Sequence, residues 1–227
     1  MHKLVPLVLV PLVLVFLGGC ATQPASVPEQ ASTQPKAVCS QAAASELVRL
    51  RPAPGALYRD PDDAAHIRVK IESDSQLNAV STSMDKLNLN VSAKILATNY
   101  SALAYTYALR GDCRSAQDYN QRALATNGDP MHVAWSYGWS KIALADYVGA
   151  VNVWTKSVPQ PGGKPFWLAY SLAVAFEGAG EHELAQAWWR AAVASNPELA
   201  TKAGALKFFD HWRANEKALL LQLLEQV

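Results

Sequence analysis

Three stretches of the sequence decide the fold: YSALAYTYALRGDCRSAQDYNQRALA (100–125), YGWSKIALADYVGAVNVW (137–154) and LAVAFEGAGEHELAQAWWRAAVASNP (172–197). Each places small and aromatic residues in the same order. Their central alanines, Ala116, Ala150 and Ala185, lie 34 and 35 residues apart, and the extra residue fits the loop at 159–163. A fixed period of this length predicts stacked helical hairpins, because one hairpin cannot bury its own apolar face.

Residues at the expected ends of these helices support the same prediction. Gly111 and Gly180 fall where a helix ends in a left-handed backbone, which glycine adopts without a steric penalty. Asp129-Pro130 and Asn196-Pro197 combine a capping side chain with a proline suited to the first helical position. Within the helices, small residues such as Gly138 allow close approach. The large side chains Trp154 and Trp189 are expected to fill the space between hairpins.

In spacing and residue order, residues 97–198 resemble three tetratricopeptide (TPR) repeats, of which the third matches best and the second least. The sequence departs from that pattern at Asn120, where an aromatic is usual, at Lys141, where a tyrosine is usual, and at Ser157, where an alanine is usual. The resemblance implies an all-α fold, a short solenoid of about three hairpins. Local patterns add extra N-terminal helices (39–96) and C-terminal capping helices (199–227).

The segments beside the repeats are read from local patterns. Ser40–Leu50 predicts a short helix with Ser40 as its cap, and Asp60-Pro61 predicts the start of another. Residues 66–72 and 87–91 alternate as a strand would, but the longer stripe from Leu77 to Ile95 steps by three and four residues and favours a helix. Apolar stripes in 199–227 suit one or two helices that cover the last hairpin.

The N-terminus has the pattern of an export signal. Residues 1–19 contain Lys3 and a run of fourteen residues from Leu4 to Leu17, apolar apart from two prolines and too short to cross a bilayer as a helix. Leu17-Gly18-Gly19-Cys20 resembles the lipobox of bacterial lipoproteins, which implies cleavage before Cys20 and a covalent lipid on it. Ala21 resembles the outer-membrane class of that family. The alternative is an ordinary secretory signal with a chance cysteine.

Residues 20–38 follow as the lipidated cysteine and a linker rich in proline, glutamine and serine, which is expected to be an extended tether. The chain has 227 residues, half of them apolar and 17% charged, with a formal charge of +1. Removing Lys3 with the signal leaves 19 basic against 19 acidic residues. No block of like charge favours nucleic acid or an anionic membrane surface as a partner.

The three cysteines are Cys20, Cys39 and Cys113. Lipidation of Cys20 leaves an even pair in an oxidising compartment, so a Cys39–Cys113 disulfide and two separate thiols are both open alternatives.

The resemblance places the first helix of each hairpin on a concave surface. The inward positions form a candidate groove for a protein partner, in which aromatic residues would dominate the binding energy. In the alternative, a terminal segment folds into this groove and makes the same residues core. The groove residues are Tyr105, His132, Trp135, Trp139, Trp167, Tyr170 and Glu177. Trp188, beside the packing residue Trp189, is expected either to face outward or to pack on the C-terminal helices.

Signals for catalysis are poor. His182-Glu183 imitates half of a zinc-protease motif, lacks the second histidine, and is expected to open a helix. No metal or cofactor is expected beyond the lipid on Cys20, and no enzymatic activity. The sequence therefore predicts an outer-membrane-anchored periplasmic adaptor or scaffold for protein partners. Anchored repeat arrays of this kind are similar to pilotins and other factors in the assembly of pili, secretion systems or outer-membrane complexes.

Two alternatives stand beside the adaptor. One is a permanent structural subunit with a self-filled groove, and the other is a regulator or scaffold of cell-wall enzymes. The leucine-rich tail also suits association of the chain with itself.

Overall fold

The computed structural model describes residues 39–59, 70–86, 91–157 and 165–226. Within these ranges the chain is all-helical and forms no strand, which confirms the predicted all-α class. The predicted signal, Cys20, the tether and the helix start at Asp60-Pro61 lie outside the described residues. The described residues form nine α-helices: α1 (Asp74–Lys86), α2 (Ala93–Leu109), α3 (Cys113–Ala125), α4 (Pro130–Ala143), α5 (Tyr147–Ser157), α6 (Phe166–Gly178), α7 (His182–Ser195), α8 (Lys202–Phe208) and α9 (Ala214–Glu225).

Three helical hairpins form the centre of the fold, because α2 packs on α3, α4 on α5 and α6 on α7. The turn in each hairpin contains one residue with a left-handed backbone: Gly111 (φ 72°), Ala145 (φ 57°) and Gly180 (φ 77°). The prediction for the two glycines is therefore confirmed. Ala145 adopts the same conformation despite its Cβ, so the turn geometry rather than the residue type is what repeats.

Capping side chains begin α3 and α4. Asp112 accepts a hydrogen bond from the backbone N–H of Ser115 at 3.1 Å, and Asp129 accepts one from that of His132 at 3.1 Å. Pro130 occupies the first turn of α4, as predicted. Asn196-Pro197 instead opens a 3-10 helix, Pro197–Ala200, because α8 starts only after a second cap at Thr201.

The hairpins pack closely around a buried aromatic core. Gly138 on α4 lies against the indole of Trp154 on α5, and a Cβ at this position would overlap that ring. The side chains of Trp154 and Trp189 are fully buried, as their predicted packing role requires. Helix α6 is enclosed on all sides, since every residue from Phe166 to Glu177 is buried.

The first described segment differs from the prediction. Ser40–Leu50 was expected to be a helix, but it contains only a three-residue 3-10 helix, Ala44–Glu46. Its backbone groups bond to side chains of the hairpins instead: the N–H of Ala42 donates to Asp146 Oδ1 at 3.0 Å and that of Val48 to Asn152 Oδ1 at 3.3 Å. We call residues 39–59 the N-terminal strap.

Candidate functional site

The predicted groove residues lie on the first helix of each hairpin, with Tyr105 on α2, three residues on α4 and three on α6. Six of the seven are buried, with exposed fractions of 5% or less: Tyr105, Trp135, Trp139, Trp167, Tyr170 and Glu177. His132 is half-buried, and its ring centroid lies 5.6 Å from that of Trp135. These side chains therefore share one surface, but that surface is covered.

The cover is the chain's own C-terminal segment, residues 196–226. The ring of Trp212 lies 5.0 Å from that of Trp139 and 5.8 Å from that of Tyr170. Phe209 lies 5.0 Å from the ring of Tyr170. The groove residues are therefore buried against the chain's own C-terminal segment, the arrangement that the self-filled alternative expects. An uncovered surface with this many aromatic rings would expose several side chains whose burial contributes about 1.5–3 kcal/mol each.

Polar atoms of the groove are used by the same segment. The Tyr105 hydroxyl donates to Glu216 Oε1 at 3.3 Å, and Glu216 also accepts from the backbone N–H of Arg213 at 3.0 Å. At the other end, Gln226 Nε2 donates to Glu177 Oε1 at 3.0 Å. Both buried carboxyl groups are thereby hydrogen-bonded, as buried polar groups usually are. No sequence pattern singled out Glu216, which stands among exposed and leucine-rich positions of α9.

The N-terminal strap covers a second surface, formed by the second helix of each hairpin. A disulfide joins Cys39 to Cys113 at the start of α3, with the Cα atoms 5.5 Å apart. Further along, Trp188 Nε1 donates to the backbone carbonyl of Leu50 at 2.9 Å, and the Tyr58 ring lies 5.4 Å from the Trp188 ring. Trp188 is thus buried beneath the strap and does not face outward, which was one of its two expected positions.

Burial also changes the chemistry of Tyr58. Loss of solvation raises the pKa of its phenol above the ordinary value of 10.0, and a hydrogen bond with the Ala53 backbone acts in the opposite direction. Tyr58 is only 3% exposed, so the raised pKa reflects its packing in the protein interior.

An open depression of about 500 Å³ lies between the strap and the start of α7. We call it the charged cleft. Arg49 pairs with Glu181 at 2.7 Å and Arg51 with Glu183 at 3.6 Å, and both arginine side chains are more than half exposed. The sequence did not indicate this site, because the paired residues are more than 130 positions apart and the strap was expected to be a helix.

His182-Glu183 opens α7, as predicted, and His182 Nδ1 lies 3.0 Å from Glu177 Oε2. Across the described ranges, no cluster of three or more histidine, cysteine, aspartate or glutamate side chains has a geometry suited to a metal ion. Over the same part of the chain, no helix combines the length and apolarity needed to span a bilayer.

Comparisons with known proteins were made with family models, with curated proteins and with solved structures. None of the three found a match for this chain.

Proposed function

We propose that the protein is a lipid-anchored, periplasmic structural subunit of an envelope assembly, built on a TPR-type solenoid whose concave surface is filled by its own C-terminal segment. In this proposal the protein contacts other envelope proteins through its outer face. The observation that carries it is the double cover of the hairpins, by the C-terminal segment on one surface and by the strap on the other.

The TPR-type arrangement is supported by three hairpins whose turns repeat at 34 and 35 residues, at Gly111, Ala145 and Gly180. The anchor and compartment are supported by the lipobox-like sequence ending at Cys20. The Cys39–Cys113 disulfide fits an oxidising compartment such as the periplasm.

The charged cleft is the proposed contact site for a partner. Both guanidinium groups and the Glu183 carboxylate are exposed at the surface, and Glu181 is half-buried, so exchanging these pairs for pairs with a partner requires little desolvation of three of the four groups. A partner with a surface of mixed charge suits this arrangement, since such contacts set orientation and specificity more than affinity.

The test is affinity purification from envelope extracts with the Arg49→Glu/Arg51→Glu variant beside the wild type. We expect the variant to fold and to lose the proteins that the wild type retains. Arg190→Glu is the matched control, because Arg190 is exposed on the same helix α7 but lies outside the cleft. If the double variant retains every partner and Arg190→Glu loses partners, the contact lies elsewhere on the outer face, and the charged cleft is not the contact site.

A further inference from the structure

A second, smaller cavity lies behind the Cys39–Cys113 disulfide, between α3, α4 and the start of α5. Its volume is about 60 Å³. The disulfide and Ser40 of the strap form one wall, and the exposed residues Ser40 and Gln117 lie at its edge. The inner wall contains polar side chains that are almost fully buried: Asn120, Ser140 and Asp146.

Asn120 has a hydrogen-bonding atom without a partner. The side chain is only 2% exposed, and its Oδ1 accepts no hydrogen bond. Leaving such a buried acceptor unsatisfied costs about 1–3 kcal/mol. Asn120 also stands where the repeat pattern has an aromatic side chain, and its smaller volume is consistent with the space that remains between the first two hairpins.

The other groups of the cavity define what kind of ligand fits. The Ser140 hydroxyl donates its hydrogen to the carbonyl of Ser136 at 3.1 Å, so its oxygen is left as an acceptor. Asp146 is already used, since it accepts from Lys141 Nζ at 2.9 Å and from two backbone N–H groups. On the buried inner wall, two acceptors therefore remain, Asn120 Oδ1 and Ser140 Oγ, while the ammonium of Lys141 disfavours a cation.

We propose that this cavity is a binding site for a small, neutral hydrogen-bond donor, a primary amide or a hydroxyl group. The ligand donates to Asn120 Oδ1 and to Ser140 Oγ. The volume corresponds to about four water molecules, which limits the bound group to about four non-hydrogen atoms. The site is independent of the charged cleft and of the partner contact proposed there, because no residue lines both.

The test uses three probes of nearly the same size and shape, titrated into the purified full chain and followed by backbone amide chemical shifts. Acetamide is neutral and donates hydrogen bonds, acetone lacks a donor, and acetamidinium carries a positive charge. We expect saturable shifts at residues 117–120 and 140–141 with acetamide, and weak, non-saturating shifts with acetone and acetamidinium.

Variants then assign the acceptor. Asn120→Leu keeps the side-chain shape but removes the acceptor, and we expect it to weaken acetamide binding by about threefold to tenfold, the effect of one hydrogen bond. Gln121→Leu, an exposed neighbour on α3, is the control and leaves the affinity unchanged. Equal responses to acetamide and acetone in the wild type would overturn the proposal, and this comparison holds even if Asn120→Leu fails to fold.

Discussion

At the scale of single residues, the backbone conformation of Ala145 conflicts with its side chain. Its φ of 57° is the left-handed conformation that Gly111 and Gly180 adopt in the other two hairpin turns. A Cβ in this region destabilises the folded state by about 1–2 kcal/mol. Replacing it with glycine removes this strain, but part of the gain is lost because glycine has greater conformational freedom in the unfolded chain. We expect Ala145→Gly to raise the free energy of unfolding by about 0.5–1 kcal/mol. Urea denaturation followed by circular dichroism measures the change.

Gly111→Ala serves as the reverse experiment in the equivalent turn. It introduces a Cβ at a φ of 72°, and we expect it to lower the free energy of unfolding. A loss of stability in Ala145→Gly would contradict the equivalence of the two turns.

Tyr58 gives the strap a dependence on alkaline pH. Its folded-state pKa lies above the unfolded value of 10.0, so the stability it contributes is fully present below pH 10 and is lost as the pH rises through the folded-state pKa. We expect stability to fall above pH 10 and Tyr58→Phe to flatten this part of the profile. Thermal unfolding between pH 8 and about pH 11 tests this linkage, and a profile unchanged by the substitution would exclude Tyr58 as its source.

At the level of helices and segments, the sequence predicted what is periodic and missed what is not. The hairpins were predictable because Ala116, Ala150 and Ala185 repeat at a fixed interval. The strap was not, because the pattern of Ser40–Leu50 suits a helix when considered alone. Its extended form depends on acceptors far away in the sequence, such as Asp146 and Asn152.

For the groove, the sequence predicted the lining residues but not whether they are exposed. Register alone identified Trp139 and Tyr170 as inward-facing, and they do face one surface. Whether that surface is open depends on the position of Phe209 and Trp212, which a helical stripe in the C-terminal segment does not specify. Helical register therefore predicted which residues line the groove, and only the tertiary structure showed that the C-terminal segment occupies it.

The strap is fixed covalently at its first residue. The disulfide closes a loop with a sequence separation of 74, and removing a cross-link of this kind costs about 2–4 kcal/mol. We expect Cys39→Ser/Cys113→Ser to lose this amount in urea denaturation. In 10 mM dithiothreitol, the wild type is expected to approach the stability of the double variant. A variant as stable as the oxidised wild type would show that the strap holds its position without the cross-link.

The C-terminal segment is expected to behave as core and not as a detachable ligand. Trp212 is 4% exposed and contacts Trp139, Tyr170 and Phe209, so Trp212→Ala leaves a large cavity and we expect a loss of about 3–5 kcal/mol. Asn215→Ala, exposed in the first turn of α9, is the control. A folded Trp212→Ala protein with nearly unchanged stability would instead favour a groove that can exchange its occupant.

For the molecule as a whole, the main prediction concerns the proposed lipid anchor. If Cys20 carries the anchor, Cys20→Ala should remain unprocessed or be released from the outer-membrane fraction, and it should incorporate no labelled palmitate. Cys39→Ser provides the control, because it removes a cysteine without changing the lipobox-like sequence. Palmitate incorporation in Cys20→Ala would contradict the assignment.

The disulfide also has a mechanical consequence. Tension applied to the chain before Cys39 passes through the Cys39–Cys113 bond directly into the start of α3. Residues 40–59 lie beyond that junction and carry little of this load, so their hydrogen bonds to Asp146, Asn152 and Ser195 are not peeled apart one after another. When the domain is pulled by its N-terminal chain, the force is therefore borne first by the disulfide and by helix α3, and the strap stays in place.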